Sequence, residues 1–389
     1  MRPILLVTIE YPPQRGGIAT YLAHIAENLP HGNIIVLAPE MKSTHEYDMN
    51  AGVPIYRYKM LWKYMRPRWL LAFYWTWRMC RKDRPSMVMV SHLLNMGKVA
   101  LGIKRVLGIP YGVILHGYDV AQAKSTTYGR RLAAREILGG ASLVVCNSVY
   151  TGTWAQSLGV DESRIAYVNP PPWLPLDTKA DAGEVAQFRK IHELDGKFTL
   201  LYVGRLVKRK GVDTCIKAVA KLRAEGCDVK YIVIGDGPDK GRLKKMAMDA
   251  NVADHVVFTG MMNPNRLSIP YTACDAFVMV PRSLDGGNIE GYGIVYLEAN
   301  IFGRPVIGSR TGGVPEAVID GETGLLVEPG DVDGLVKTVR KLMNDESLRK
   351  KLGEGGRARL EKDYGDNRQA RRFLAAVRRA IGVTKEYEE

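Results

Sequence analysis

The strongest constraint on this chain is a recurring one: short, nearly unbroken apolar runs, each followed by a stretch with apolar residues three and four apart. In the first half the runs are residues 3–9, 33–38, 87–90, 111–116 and 142–146; in the second half they are 198–204, 229–235, 255–260, 276–280 and 305–308. A run without polar alternation is a strand buried on both faces. Helical stretches such as 211–225 and 331–345 supply the covering layers. Two such series predict an α/β fold of two Rossmann-like, doubly wound domains facing a cleft. At 389 residues the chain is long enough for two cores.

The boundary is expected in residues 167–183, where Pro170, Pro171 and Pro172 open a stiff, polar connector. The predicted divisions are 1–175, 176–365 and a tail, 366–389. The tail reads as a basic amphipathic helix with a short acidic end, expected to pack back on the N-terminal domain.

With 46% hydrophobic and 25% charged residues the chain is an ordinary globular one, which excludes global disorder. Cys80, Cys146, Cys215, Cys227 and Cys274 are odd in number and form no CxxC pair, as in a reducing compartment and without a metal site. The opening MRPILLVTIEYPP reads as a first strand rather than a signal peptide, and no apolar run is long enough to span a bilayer. A cytoplasmic location follows as an expectation.

The net charge is +14, and residues 1–175 carry 20 Lys and Arg against 10 Asp and Glu. Such an excess favours anionic partners: phosphorylated substrates, anionic lipid or nucleic acid. Nucleic acid is set aside, because no recognition motif is present and the aromatic residues cluster with helical spacing.

Ligands of doubly wound sheets bind beyond the carboxyl ends of the strands, so the loops after the apolar runs hold the candidates. The first has Gly16 and Gly17 after Gln14 and Arg15, ahead of a helix; a phosphate cradle and a plain tight turn are equally open there. The second places His116 at the end of a central strand, where a substrate contact and a satisfied core histidine compete evenly. The third runs from Gly204 to Gly211, with Arg205 and Lys210 able to reach one anion. Gly235–Pro238 has the wrong spacing for a dinucleotide fingerprint and reads as turn chemistry. Base recognition is expected near Met261, largely through backbone.

The fifth loop carries most weight. Glu290, Gly291, Tyr292, Gly293 and Ile294 lead from a glycine-rich loop, 285–288, into a helix whose N–H groups suit a diphosphate. Glu298 lies inside that apolar helix and needs a partner; sugar or ribose hydroxyls would provide one. A sixth glycine turn, Thr311–Glu316, follows the run at 305–308.

Together these motifs resemble glycosyltransferase family 4, the retaining enzymes of GT-B fold, over nearly the whole chain. The segments PRSLDGGNIEGYGIVYLEA and YPPQRGGIATYL are similar in wording to bacterial phosphatidylinositol-mannoside mannosyltransferases. The resemblance implies a nucleotide-sugar donor, GDP- or UDP-linked, with no cofactor and no metal. It implies that Gly16 and Gly17 approach the donor diphosphate or acceptor and that His116 hydrogen-bonds the transferred sugar. Arg205 and Lys210 would neutralise the leaving diphosphate. Glu290 would bind sugar hydroxyls, Glu298 the ribose, and backbone around Gly291 to Ile294 the phosphates. Many relatives have Phe at the position of Tyr292, and the extra hydroxyl is expected to alter sugar or acceptor contacts. The narrower likeness points to mannose from GDP-mannose, moved to a lipid-linked or cell-envelope glycan. The alternatives are UDP-glucose or UDP-N-acetylglucosamine with a soluble acceptor, or a sugar-nucleotide epimerase of the same fold.

The acceptor side has its own signature. Residues 59–84 hold eight Lys and Arg, one Asp and seven aromatics, including four of the six tryptophans. That composition suits an interfacial helix on an anionic membrane, from Pro67 through about Arg81, so peripheral attachment to the inner face of the cell membrane is expected.

Overall fold

The computed structural model describes residues 2–14, 16–42, 44–62, 64–117, 119, 123, 128–284 and 289–383. Of the segments read above, Arg15, residues 285–288 and the acidic end from 384 lie outside these. The chain forms two compact units, Met1–Pro171 with Asp366–Glu389, and Pro172–Gly365.

The first unit is built on seven parallel strands: β1 (Ile4–Val7), β2 (Ile34–Pro39), β3 (Ile55–Tyr58), β4 (Met87–Ser91), β5 (Tyr111–Leu115), β6 (Leu143–Cys146) and β7 (Ile165–Tyr167). Their order is β3-β2-β1-β4-β5-β6-β7. Successive residues of β1 point to opposite faces. Leu5 and Val7 join one core with Val88, Val90, Val113 and Leu115, and Ile4 and Leu6 join another with Met87, Met89 and Ile114. The first core is closed by helices Leu70–Asp83, Leu93–Leu107 and Tyr128–Gly140. The second is closed by helices Gly17–Glu27 and Arg368–Ala380. The tail helix buries Phe373, Leu374 and Val377 there, and its Gln369 accepts a hydrogen bond from the Asn169 N–H at 2.9 Å.

The second unit has six parallel strands: β8 (Phe198–Val203), β9 (Val229–Ile234), β10 (Val256–Gly260), β11 (Ala276–Val278), β12 (Val306–Ser309) and β13 (Gly324–Val327). Their order is β10-β9-β8-β11-β12-β13.

Each of the ten apolar runs became a strand. Three further strands, β3, β7 and β13, carried no such run, and all three lie at sheet edges. An edge strand is only partly covered, as β3 is along its whole length, so a continuous apolar stretch is not demanded of it. The basic helix also starts later than expected. It runs Leu70–Asp83, and Pro67 precedes it rather than sitting in its first turn.

All five cysteines are free. No helix among the described residues is long and apolar enough to cross a membrane.

Candidate active site

In the second unit the loops after β8, β11 and β12 converge on Glu290. Its carboxylate is buried, yet it faces two cations: Lys210 Nζ lies 2.6 Å and Arg209 Nη1 2.5 Å from Oε2. Burial alone would raise the Glu290 pKa; the Lys210 and Arg209 charges overcome it and bring it down to about 2. Burial lowers the Lys210 pKa, Glu290 opposes this, and the neighbouring Arg209 adds to the lowering. The cluster is thus one carboxylate against two cations, a partly buried excess of positive charge.

The backbone holds these groups in place. Arg282 N–H donates to the Arg209 carbonyl at 2.8 Å, and the Arg282 guanidinium forms 2.8 Å bonds to both carboxylate oxygens of Asp213. That fork ties the loop after β11 to the helix Val212–Ala224 that follows Lys210. Gly313 N–H donates to the Glu290 carbonyl at 3.1 Å. Its neighbour Gly312 has φ 56°, and a Cβ there would collide with the same carbonyl, so the sixth glycine turn backs the Glu290 loop. Gly235 plays the same part for the loop at Gly204, whose carbonyl it abuts.

Beyond Glu290, Gly293 (φ 98°) opens the helix Ile294–Ile301, with no side-chain cap and no acidic residue in the first turn. Its leading N–H groups and positive dipole end are therefore available to an anion. Inside the helix, Glu298 is buried and accepts 2.7 Å from Tyr271 Oη and a further bond from the Trp173 backbone. Burial raises its pKa.

The candidates are not all gathered. Arg205 is exposed and forms no ion pair among the described residues, whereas Arg209, its neighbour in the same basic run, contacts Glu290. Spacing could not choose between cations of one run. The Tyr292 ring is buried and its Oη lies 2.5 Å from Tyr364 Oη. The hydroxyl expected to alter sugar or acceptor contacts is thus engaged with Tyr364 in the interior. Met261 is exposed just beyond β10.

In the first unit His116, at the end of β5, is buried with its ring edge-on to Tyr21, 5.7 Å between centroids. Burial, then the nearby His92, lowers its pKa to about 3, so the ring is neutral. Its Nε2 lies 3.2 Å from Ser91 Oγ, Ser91 Oγ lies 3.1 Å from His92 Nδ1, and His92 Nε2 lies 3.2 Å from Glu10 Oε1. Asp119 accepts the N–H groups of Leu93 and His116, each at 2.9 Å, and so clamps the ends of β4 and β5 together. Burial raises the Asp119 pKa despite both bonds. Gly16 and Gly17 lie exposed where helix Gly17–Glu27 begins, and Gly16 passes close to the Glu10 carboxylate.

Glu10, Ser91, His92 and Asp119 were not among the sequence candidates. The signal was available: Glu10 closely follows one apolar run and Ser91-His92 directly follows another, as His116 ends a third. Among the described residues no group of three or more His, Cys, Asp or Glu is arranged to hold a metal.

Residues 15–171 match the family described as Glycosyltransferase Family 4, and residues 184–359 the family described as Glycosyl transferases group 1. The chain is similar to the GDP-mannose-dependent alpha-(1-6)-phosphatidylinositol monomannoside mannosyltransferase of Mycolicibacterium smegmatis, 33% identical over 91% of this chain and 92% of that one. It is also similar to the monoacylated-substrate counterpart from Corynebacterium glutamicum, 30% identical over 93% and 94%. Among solved structures, Anabaena HepE in complex with UDP superposes with a TM-score of 0.79 at 17% identity, covering 96% of this chain and 98% of that one, a likeness of fold. With two parallel-sheet α/β units, both family matches and relatives at this identity over nearly its whole length, the chain belongs to glycosyltransferase family 4 and is a glycosyltransferase of GT-B fold.

Proposed function

We propose that the enzyme transfers mannose from GDP-mannose, with retention of configuration, to a lipid-linked or cell-envelope glycan acceptor at a membrane surface. The observation that carries the donor half is the excess positive charge of Arg209 and Lys210 over Glu290, beside the uncapped start of helix Ile294–Ile301. A diphosphate matches both: it neutralises the surplus and accepts from the N–H groups. Mannose and guanosine are favoured by the relatives' GDP-mannose dependence at up to 33% identity.

In the proposed step the bond from the sugar C1 to the diphosphate oxygen breaks, and the acceptor oxygen bonds C1 on the same face. The acceptor's proton passes to the departing phosphate oxygen. Arg205 and Lys210, helped by the helix N-terminus, stabilise the negative charge that develops there, so no metal is required for charge balance. Glu290 and His116 are assigned to sugar hydroxyls and Glu298 to the ribose. Gly16 and Gly17 are assigned to the diphosphate or acceptor.

The acceptor half rests on residues 59–84. Trp62, Tyr64, Leu70 and Tyr74 are exposed amid basic side chains, and Lys59 lies over the Trp62 ring at 5.1 Å. Trp75 is not part of that face; it stacks on Tyr58 at 3.9 Å between ring centroids.

A thermal-shift comparison of GDP-, UDP- and ADP-mannose and -glucose tests the donor. GDP-mannose at a hundred times its Kd should add about 2.7 kcal/mol. A shift with UDP-sugars alone would overturn the choice. Flotation with anionic and neutral liposomes tests the membrane contact; equal recovery in the soluble fraction for both would remove it. Activity unchanged by a chelator is expected, and a strong loss would overturn metal independence.

A further inference from the structure

In the first unit a continuous line of hydrogen-bonding atoms links the carboxylate of Glu10 to the ring of His116. It runs from Glu10 Oε1 to His92 Nε2 at 3.2 Å, from His92 Nδ1 to Ser91 Oγ at 3.1 Å, and from Ser91 Oγ to His116 Nε2 at 3.2 Å. Each link constrains the next. A carboxylate only accepts, so His92 must carry its proton on Nε2. A neutral His92 then offers a bare Nδ1, which takes the single Ser91 hydroxyl hydrogen. With that hydrogen spent, Ser91 Oγ can only accept from His116, whose proton must sit on Nε2. The other His116 nitrogen, Nδ1, is left as a bare acceptor, with no partner among the described residues.

The backbone invests in this line. His92 adopts φ 69°, a left-handed conformation unusual for a residue with a side chain, and this turns its ring between Ser91 and Glu10. Asp119 locks the two strand ends, and Tyr21 packs against the His116 ring.

We propose that Glu10 is a positioning residue: through His92 and Ser91 it selects the tautomer in which His116 carries its proton on Nε2 and presents Nδ1 as a hydrogen-bond acceptor for a sugar hydroxyl. With His92 neutral, the tautomer follows from the geometry. Its use in catalysis rests on the assignment of His116 to the sugar.

The test is nitrogen-15 spectroscopy of the full-length protein labelled at its seven histidines and held at a pH above the ordinary imidazole range. Protonated and bare ring nitrogens differ in chemical shift, and His92→Gln and His116→Gln assign the two signals. In the wild type both rings should carry the proton on Nε2. Glu10→Gln, whose amide can donate as well as accept, should convert both into mixtures. Ser91→Ala, a small change that cuts the line in the middle, should leave His92 as it was and convert His116 alone. A wild-type His116 protonated on Nδ1 would overturn the proposal, as would a His116 signal unmoved by both variants. With GDP-mannose turnover as a second readout, kcat of Glu10→Gln should fall with the fraction of His116 that leaves the Nε2-protonated tautomer, about twofold for an even mixture, and the donor KM should not rise with it. The spectra need no turnover, so a wrong donor assignment and a wrong tautomer are told apart.

Discussion

Lys210 Nζ and Glu290 Oε2 stand 2.6 Å apart at the carboxyl end of the second sheet, and the same oxygen also receives Arg209. The pair makes its acid behaviour specific. Folding lowers the Glu290 pKa from an ordinary 4.5 to about 2. Its stabilising contribution is therefore present in full above the unfolded value and fades as the pH falls toward the folded one. Wild-type protein should lose its stability advantage over Glu290→Gln progressively as the pH drops from about 5 to about 2. Calorimetry on both proteins across that range checks it, and a constant difference would show that the carboxylate is not held by its cations.

Arg205, Arg209 and Lys210, three of the four cations of the basic loop, should separate by function. If Lys210 meets the leaving diphosphate as proposed, Lys210→Ala should lower kcat/KM by about 100-fold or more. Arg205 is exposed without an ion pair among the described residues, so Arg205→Ala should leave the melting temperature unchanged. If it meets the diphosphate, kcat/KM should still fall about tenfold or more. Full activity in Arg205→Ala would transfer its assigned role to Arg209.

Gly312 is the sharpest backbone test. At φ 56° and against the Glu290 carbonyl, an added methyl must push the Glu290 loop aside. Gly312→Ala should cost about 2 kcal/mol or more and abolish the donor's thermal shift. A normal shift in a folded variant would refute the support assigned to this turn.

Tyr292→Phe should be nearly silent in activity. The hydroxyl bonds Tyr364 in the interior, so its loss should cost about 1 kcal/mol of stability and leave kcat within about twofold. A large change in kcat or acceptor KM would return the hydroxyl to the substrate.

The sequence alone determined the architecture and the glycine turns around Glu290, because both are written in local chemistry. A strand buried on both faces must be apolar throughout, so ten strands showed as runs. A backbone that approaches a phosphate or another carbonyl must be glycine, so the loops at Gly204, Gly293 and Gly312 showed as well. Edge strands β3, β7 and β13 escaped because partial exposure relaxes that demand. What only the tertiary structure decided is which side chains meet. Arg205 and Arg209 are four residues apart in one basic run, and packing alone turned Arg209 onto Glu290. Glu10, Ser91, His92 and His116 come from three strand ends spread over more than a hundred residues. They meet because β1, β4 and β5 are neighbours in the sheet, and no local pattern records a neighbour so distant in the chain.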